Sequence, residues 1–163
     1  MTRIPTDPPM HQQPSSSTGM TRFEIMMVML AIAVLLIAVI SFRKAGQTIG
    51  NNRFITKLRR AVTTFEQYPI LNNSFPPMAK PGVIPPDMQD LLRNIAWTEN
   101  TPLGGQWDWV TNAPGLGRGI RIYKPTVSEK RMKKIDEKID DGNLHSGKFQ
   151  LLKDHTGYLY TVE

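Results

Sequence analysis

IMMVMLAIAVLLIAVISF, residues Ile25 to Phe42, is an uncharged run of 18 residues. That length meets the threshold for a membrane-spanning helix and exceeds the apolar core of most secretory signals, so it predicts a bilayer span. Just before it stands Gly19-Met20-Thr21-Arg22-Phe23-Glu24, which puts one carboxylate, Glu24, at the mouth of the span. An ionisable group there is costly in lipid without a partner, and by default it marks a function.

The joint pattern of Gly19, Glu24 and the apolar run resembles the N-termini of type IV pilins and of the pseudopilins of type II secretion. In that family a prepilin peptidase cuts a leader that ends in Gly, and the fifth residue of the mature chain is a glutamate. With Met20 first after the cut, Glu24 is fifth. Thr21, the bulky Phe23 and Ile25, and the aliphatic continuation fit the pattern. Arg22 stands where the family usually has an aliphatic residue, and residues 1–19 carry only Arg3 where its leaders carry more Lys and Arg.

The resemblance implies cleavage between Gly19 and Met20, N-methylation of Met20, and an assembly role for Glu24 in pairing with the N-terminal amine of a neighbouring subunit. It implies as partners a prepilin peptidase, other pilin-like subunits, an inner-membrane assembly platform and the lipid bilayer. It places the chain as a single-pass protein of the bacterial cytoplasmic membrane, its head on the periplasmic side. The fold implied is α+β and pilin-like: a long N-terminal helix packed against a small antiparallel sheet with short helices. The corresponding division is a cleaved leader, 1–19; a membrane-spanning half-helix, 20–42; an amphipathic half-helix, 43–68; and a globular head, 69–163.

The residues themselves support that division. Residues 1–18 are rich in Pro, Ser and Gln and have no apolar periodicity with which to bury a face. Beyond Phe42, Ile55, Leu58, Val62 and Phe65 fall at steps of three, four and three, which is one stripe of a helix. Gly46 and Gly50 interrupt that segment, each costing roughly 1 kcal/mol relative to alanine, and suggest a soft joint. Pro69 is expected to end the helix, and the six prolines between Pro69 and Pro86 read as an extended connector.

Pro86-Asp87 is expected to open a short helix with Met88, Leu91, Leu92 and Ile95 on one face. Gln106–Val110 and Ile120–Tyr123 alternate as two strands of a hairpin around a glycine-rich turn. The phrase PLGGQWDW followed by GIRI resembles the head of a subgroup of pilin-like proteins. Val127–Ile139 reads as a charged amphipathic helix with Thr126 or Ser128 as cap, and Lys148–Leu152 and Tyr158–Val162 form a second hairpin. A sheet of about four strands is the expectation.

Net charge is +6 and there is no cysteine, so disulfides reveal nothing about compartment. Arg43, Lys44, Arg53, Lys57, Arg59 and Arg60 crowd the outer half-helix. They read as a solvated, membrane-flanking face rather than a DNA-binding strip, because no aromatics are interleaved, and no specific nucleic acid is expected. The positive-inside rule applied to these residues favours a cytoplasmic head. The resemblance requires the opposite, since the leader is cut with its N-terminal side in the cytoplasm, and that topology is adopted.

Trp107 and Trp109 share one strand face, as core aromatics or as an exposed ligand platform on the head surface. Asp136, Asp140 and Asp141 are weak calcium candidates, which a helix C-terminal turn explains as well, so no metal is assigned. Glycine-rich phosphate loops, zinc-ligand clusters and nucleophile motifs are missing from the sequence, so neither enzyme nor cofactor is expected. The expected function is a structural subunit of a pilus-like or pseudopilus filament. Two alternatives stand beside it: a minor, priming pseudopilin, and a membrane-anchored periplasmic binding module that does not polymerise, for which exposed Trp107 and Trp109 would be the mark.

Overall fold

The computed structural model describes residues 21–163. The chain divides into two units, one ending at Phe42 and the other formed by Arg43–Glu163. Helix α1 spans Arg22–Asn72 and supplies residues to both.

In the first unit the helix is apolar on every side. Its large side chains stand in the open, from Phe23 at 65% exposure to Phe42 at 80%, and none in the uncharged run is buried. A helix with no polar face has no water-compatible side, which suits it to lipid or to other apolar helices. It is one candidate membrane span, set near the N-terminus.

In the second unit α1 becomes one-sided. Phe54, Ile55, Leu58, Ala61, Phe65 and Tyr68 are buried on one stripe, while Val62 packs at its edge. Helical structure continues through Gly46 and Gly50 without a break. Nor does Pro69 stop the helix. It removes only the bond that its missing N–H would give the Phe65 carbonyl, and α1 runs one more turn to Asn72. The chain then turns off at Asn73, whose φ of 56° is left-handed and whose N–H bonds the Pro69 carbonyl at 2.8 Å.

The short helix α2 spans Gln89–Leu92 and passes into a 3-10 turn, Arg93–Ile95. It starts later than Pro86-Asp87, because Asp87 takes φ 63°, a left-handed value that belongs to a turn. Met88, Leu92 and Ile95 are buried, but Leu91 is 47% exposed and leaves the expected face.

Four strands follow: β1 Gln106–Ala113, β2 Gly117–Tyr123, β3 Phe149–Leu151 and β4 Gly157–Thr161. All pairings are antiparallel in the order β1-β2-β4-β3, so the two hairpins join through β2 and β4. Helix α3, Glu129–Ile139, lies in the connection between them. Register assigns the faces. Trp107 pairs Ile122, Trp109 pairs Ile120, and Phe149 pairs Tyr160, all toward the core. The alternate positions Asp108, Arg121 and Leu159 form the other face. The result is a long helix packed with a small antiparallel sheet and short helices, an α+β arrangement.

Candidate functional site

Glu24 is held at the start of α1 by a reciprocal pair of hydrogen bonds. The Thr21 backbone N–H donates to Glu24 Oε2 at 2.7 Å, and the Glu24 N–H donates to Thr21 Oγ1 at 3.2 Å. This is a capping box, which satisfies two N–H groups the helix end would otherwise leave orphaned. The spacing Thr21-x-x-Glu24 carried that signal in the sequence. Glu24 therefore has a local partner in the single chain while its charge stands at the head of an apolar helix. Gly19 and Met20, the expected cleavage and methylation positions, lie outside the described residues.

Trp107 and Trp109 are buried, with 0% and 1% exposure. Trp107 stacks on Phe54 of α1 with centroids 5.4 Å apart and planes 6° from parallel, and Trp109 lies 4.2 Å from the Phe65 ring. Trp97, which sequence reasoning passed over, closes the cluster against Phe65 and Trp107. Trp109 Nε1 donates to the Pro76 carbonyl at 2.9 Å and Trp97 Nε1 to that of Val83 at 3.0 Å, whereas Trp107 Nε1 has no partner among the described residues. Of the two readings of this pair, core packing is what the structure displays, and a ligand platform on the head surface is not.

The structure brings Asp136, Asp140 and Asp141 together. Asp136 and Asp140 are one helical turn apart at the end of α3, and oxygens from the three carboxylates lie within 4.8 Å of one another. Calcium–oxygen bonds of about 2.4 Å place ligand oxygens up to about 4.8 Å apart, so the spread suits a hard cation.

Asp136 is fully buried, and neither of its oxygens has a hydrogen-bond partner among the described residues. Burial, with Asp140, Asp141 and Glu137 nearby, pushes its carboxyl from the ordinary 3.8 up to about 6. The nearby Gly142 N–H offsets this in part without bonding either oxygen. Asp140 and Asp141 instead shape the following loop. Asp140 Oδ2 accepts from the N–H groups of Lys148 and Phe149, and Asp141 accepts from Ser146 Oγ at 2.6 Å and the Asn143 N–H at 2.8 Å. Those bonds hold the Asp141 carboxyl below its usual range. Gly147 is required here: its φ is 74°, and a Cβ would strike the Asp140 carboxylate.

On the outer face of the sheet, Asp108 is 1% exposed and paired with Arg121 across the β1–β2 hairpin, with Nη2–Oδ2 at 2.5 Å and Nε–Oδ2 at 2.7 Å. Burial raises the Asp108 carboxyl despite that guanidinium. The pair was readable in principle, because WDW and IRI opposed in a hairpin place the central charges side by side. No family model, no curated protein and no solved structure matches this chain.

Proposed function

We propose that the chain is a pilin-like subunit of a type IV pilus-like or type II secretion pseudopilus filament. It is made as a precursor, cut between Gly19 and Met20 by a prepilin peptidase, and assembled through α1 by an inner-membrane platform. The observation that carries this reading is the run to Phe42, apolar on every side and buried at no position, opened by the capping Glu24. One such helix spans a bilayer, and several side by side cover one another's apolar surface. In that bundle a carboxylate and a terminal ammonium are each costly alone and complementary together. Glu24 sets the axial register and the aliphatic residues supply cohesion. The residue 43–163 unit then stands on the periplasmic side as the filament's outer layer. A non-polymerising binding module loses its expected mark, because Trp107 and Trp109 are inside the core.

Single-cysteine cross-linking tests the assembly. The chain has no native cysteine, so Val34→Cys introduces the only thiol, on an exposed position of the span. Treatment of membranes with a bifunctional maleimide is expected to give a cross-linked dimer, the largest product one thiol per subunit allows, and to lose it in the Glu24→Ala background. Monomer alone in both backgrounds would contradict the filament reading.

A further inference from the structure

The strongest unassigned feature is a basic pocket of about 440 Å³ where the first turns of α1 beyond Phe42 meet α3. It is lined by Lys44, Thr48, Ser128, Lys130, Arg131 and Lys134. Arg131 is held in place: its Nε donates to Asn51 Oδ1 at 2.7 Å and its Nη2 to the Gln47 carbonyl at 3.4 Å. Gly50 leaves the room for it, since a Cβ there would come within 2.9 Å of Nη2.

Among the described residues none of these four cations has a carboxylate partner within salt-bridge distance, and the ion pairs formed are elsewhere, at Arg121–Asp108 and Lys148–Glu163. Four positive charges are thus gathered around one volume, one of them pinned by side-chain and backbone acceptors, with Glu129 the acidic residue of the α3 first turn. A fixed guanidinium flanked by flexible ammonium groups suits a phosphate diester.

Position along the helix selects the source of that phosphate. Lys44 and Thr48 follow Phe42 by two and six residues, about 3 and 9 Å of helix. Headgroups occupy roughly 5–8 Å on each side of the hydrocarbon core.

We propose that this pocket binds the phosphate of an anionic phospholipid in the leaflet adjoining the residue 43–163 unit. The inference rests on the reading of Ile25–Phe42 as a bilayer span. It gives the basic residues after the span a ligand that does not depend on cytoplasmic placement.

The test uses the full chain reconstituted in bilayers of equal parts phosphatidylglycerol and phosphatidylcholine. The chain is extracted in mild detergent and the retained lipids are measured by mass spectrometry. Each lysine near an anionic surface gives about a fivefold preference. The expected result is a phosphatidylglycerol-to-phosphatidylcholine ratio about tenfold or more above the bulk. It should fall to near the bulk ratio in Lys44→Gln/Lys130→Gln/Lys134→Gln and persist in the charge-matched Lys80→Gln/Lys124→Gln/Lys153→Gln.

Excess inorganic phosphate is expected to leave the enrichment in place, and complete displacement would reassign the pocket to a soluble anion. Equal enrichment in both triple variants, or equal loss in both, would overturn the proposal. Partition into vesicles without enrichment overturns it alone, and failure to partition at all overturns the membrane reading and the proposal together.

Discussion

Thr21 and Glu24 cap each other's backbone at the first turn of α1, so the residue expected to organise a filament also organises its own helix end. The two roles separate by substitution. Glutamine keeps the reciprocal bond to the Thr21 N–H and removes the charge, whereas alanine removes both. If Glu24 pairs with a neighbour's ammonium, Glu24→Gln and Glu24→Ala both abolish the cross-linked dimer, although only the alanine variant loses cap stability, about 0.5–2 kcal/mol. Cross-linking yield in membranes reads the first effect. Rescue of assembly by glutamine would assign Glu24 to capping alone.

The tryptophans differ in a way that stability measurements detect. Trp109 Nε1 holds the Pro76 carbonyl, while Trp107 Nε1 has no partner among the described residues. Replacement by phenylalanine shrinks both rings, but only Trp109→Phe also strands a buried acceptor. Thermal unfolding of the full chain in detergent should show Trp109→Phe as the costlier change by about 1 kcal/mol. Equal costs would mean that the Pro76 contact contributes nothing.

Much of this architecture was legible because it is written in local periodicity. The uncharged run, the 55/58/65 stripe, both hairpins and the charged helix α3 all follow from spacing within one element. Trp107 and Trp109 were placed on one face by the strand period, but that period leaves open what covers the face, and the covering residues Phe54 and Phe65 lie 53 and 44 positions away. The same limit hid the link from Arg131 to Asn51 and the meeting of Lys44 with Lys134. Two local expectations failed for a different reason. Pro69 lies in the last turn of α1, where its missing N–H removes one hydrogen bond without ending the helix, and Asp87 adopts the left-handed φ of a turn instead of opening a helix.

Asp136 gives a pH and metal dependence with a definite sign. Its carboxyl is raised from 3.8 to about 6 in the folded chain, so between those values the folded chain binds more protons than the unfolded one. The contribution of Asp136 to stability is therefore greatest below about pH 4 and falls as pH rises through 6, by about 3 kcal/mol in a chelator. Asp136→Asn should flatten that profile and raise stability at neutral pH. Millimolar Ca²⁺ should stabilise the wild type by about 2–3 kcal/mol at a hundredfold excess over its dissociation constant and leave the asparagine variant unmoved. Unfolding curves with Ca²⁺ and with chelator at pH 5 and pH 8 measure all of this, and superimposable wild-type curves would exclude the cation.

The buried Asp108 and the half-buried Arg121 form the ion pair of the outer sheet face. Arg121→Met leaves the Asp108 carboxylate without compensation and should cost about 3–5 kcal/mol, while Asp108→Leu/Arg121→Met should recover most of it. Urea midpoints of the two variants decide the matter. A mild Arg121→Met would show that Asp108 is reached by water.

The central claim is that the chain is a processed, pilin-like subunit, and intact mass tests it most directly. Protein is taken from membranes of cells with and without prepilin peptidase, for the wild type and for Gly19→Ala. Loss of residues 1–19 with one methyl added to Met20, dependent on both the enzyme and Gly19, is the expected result. An uncut precursor under every condition would contradict it.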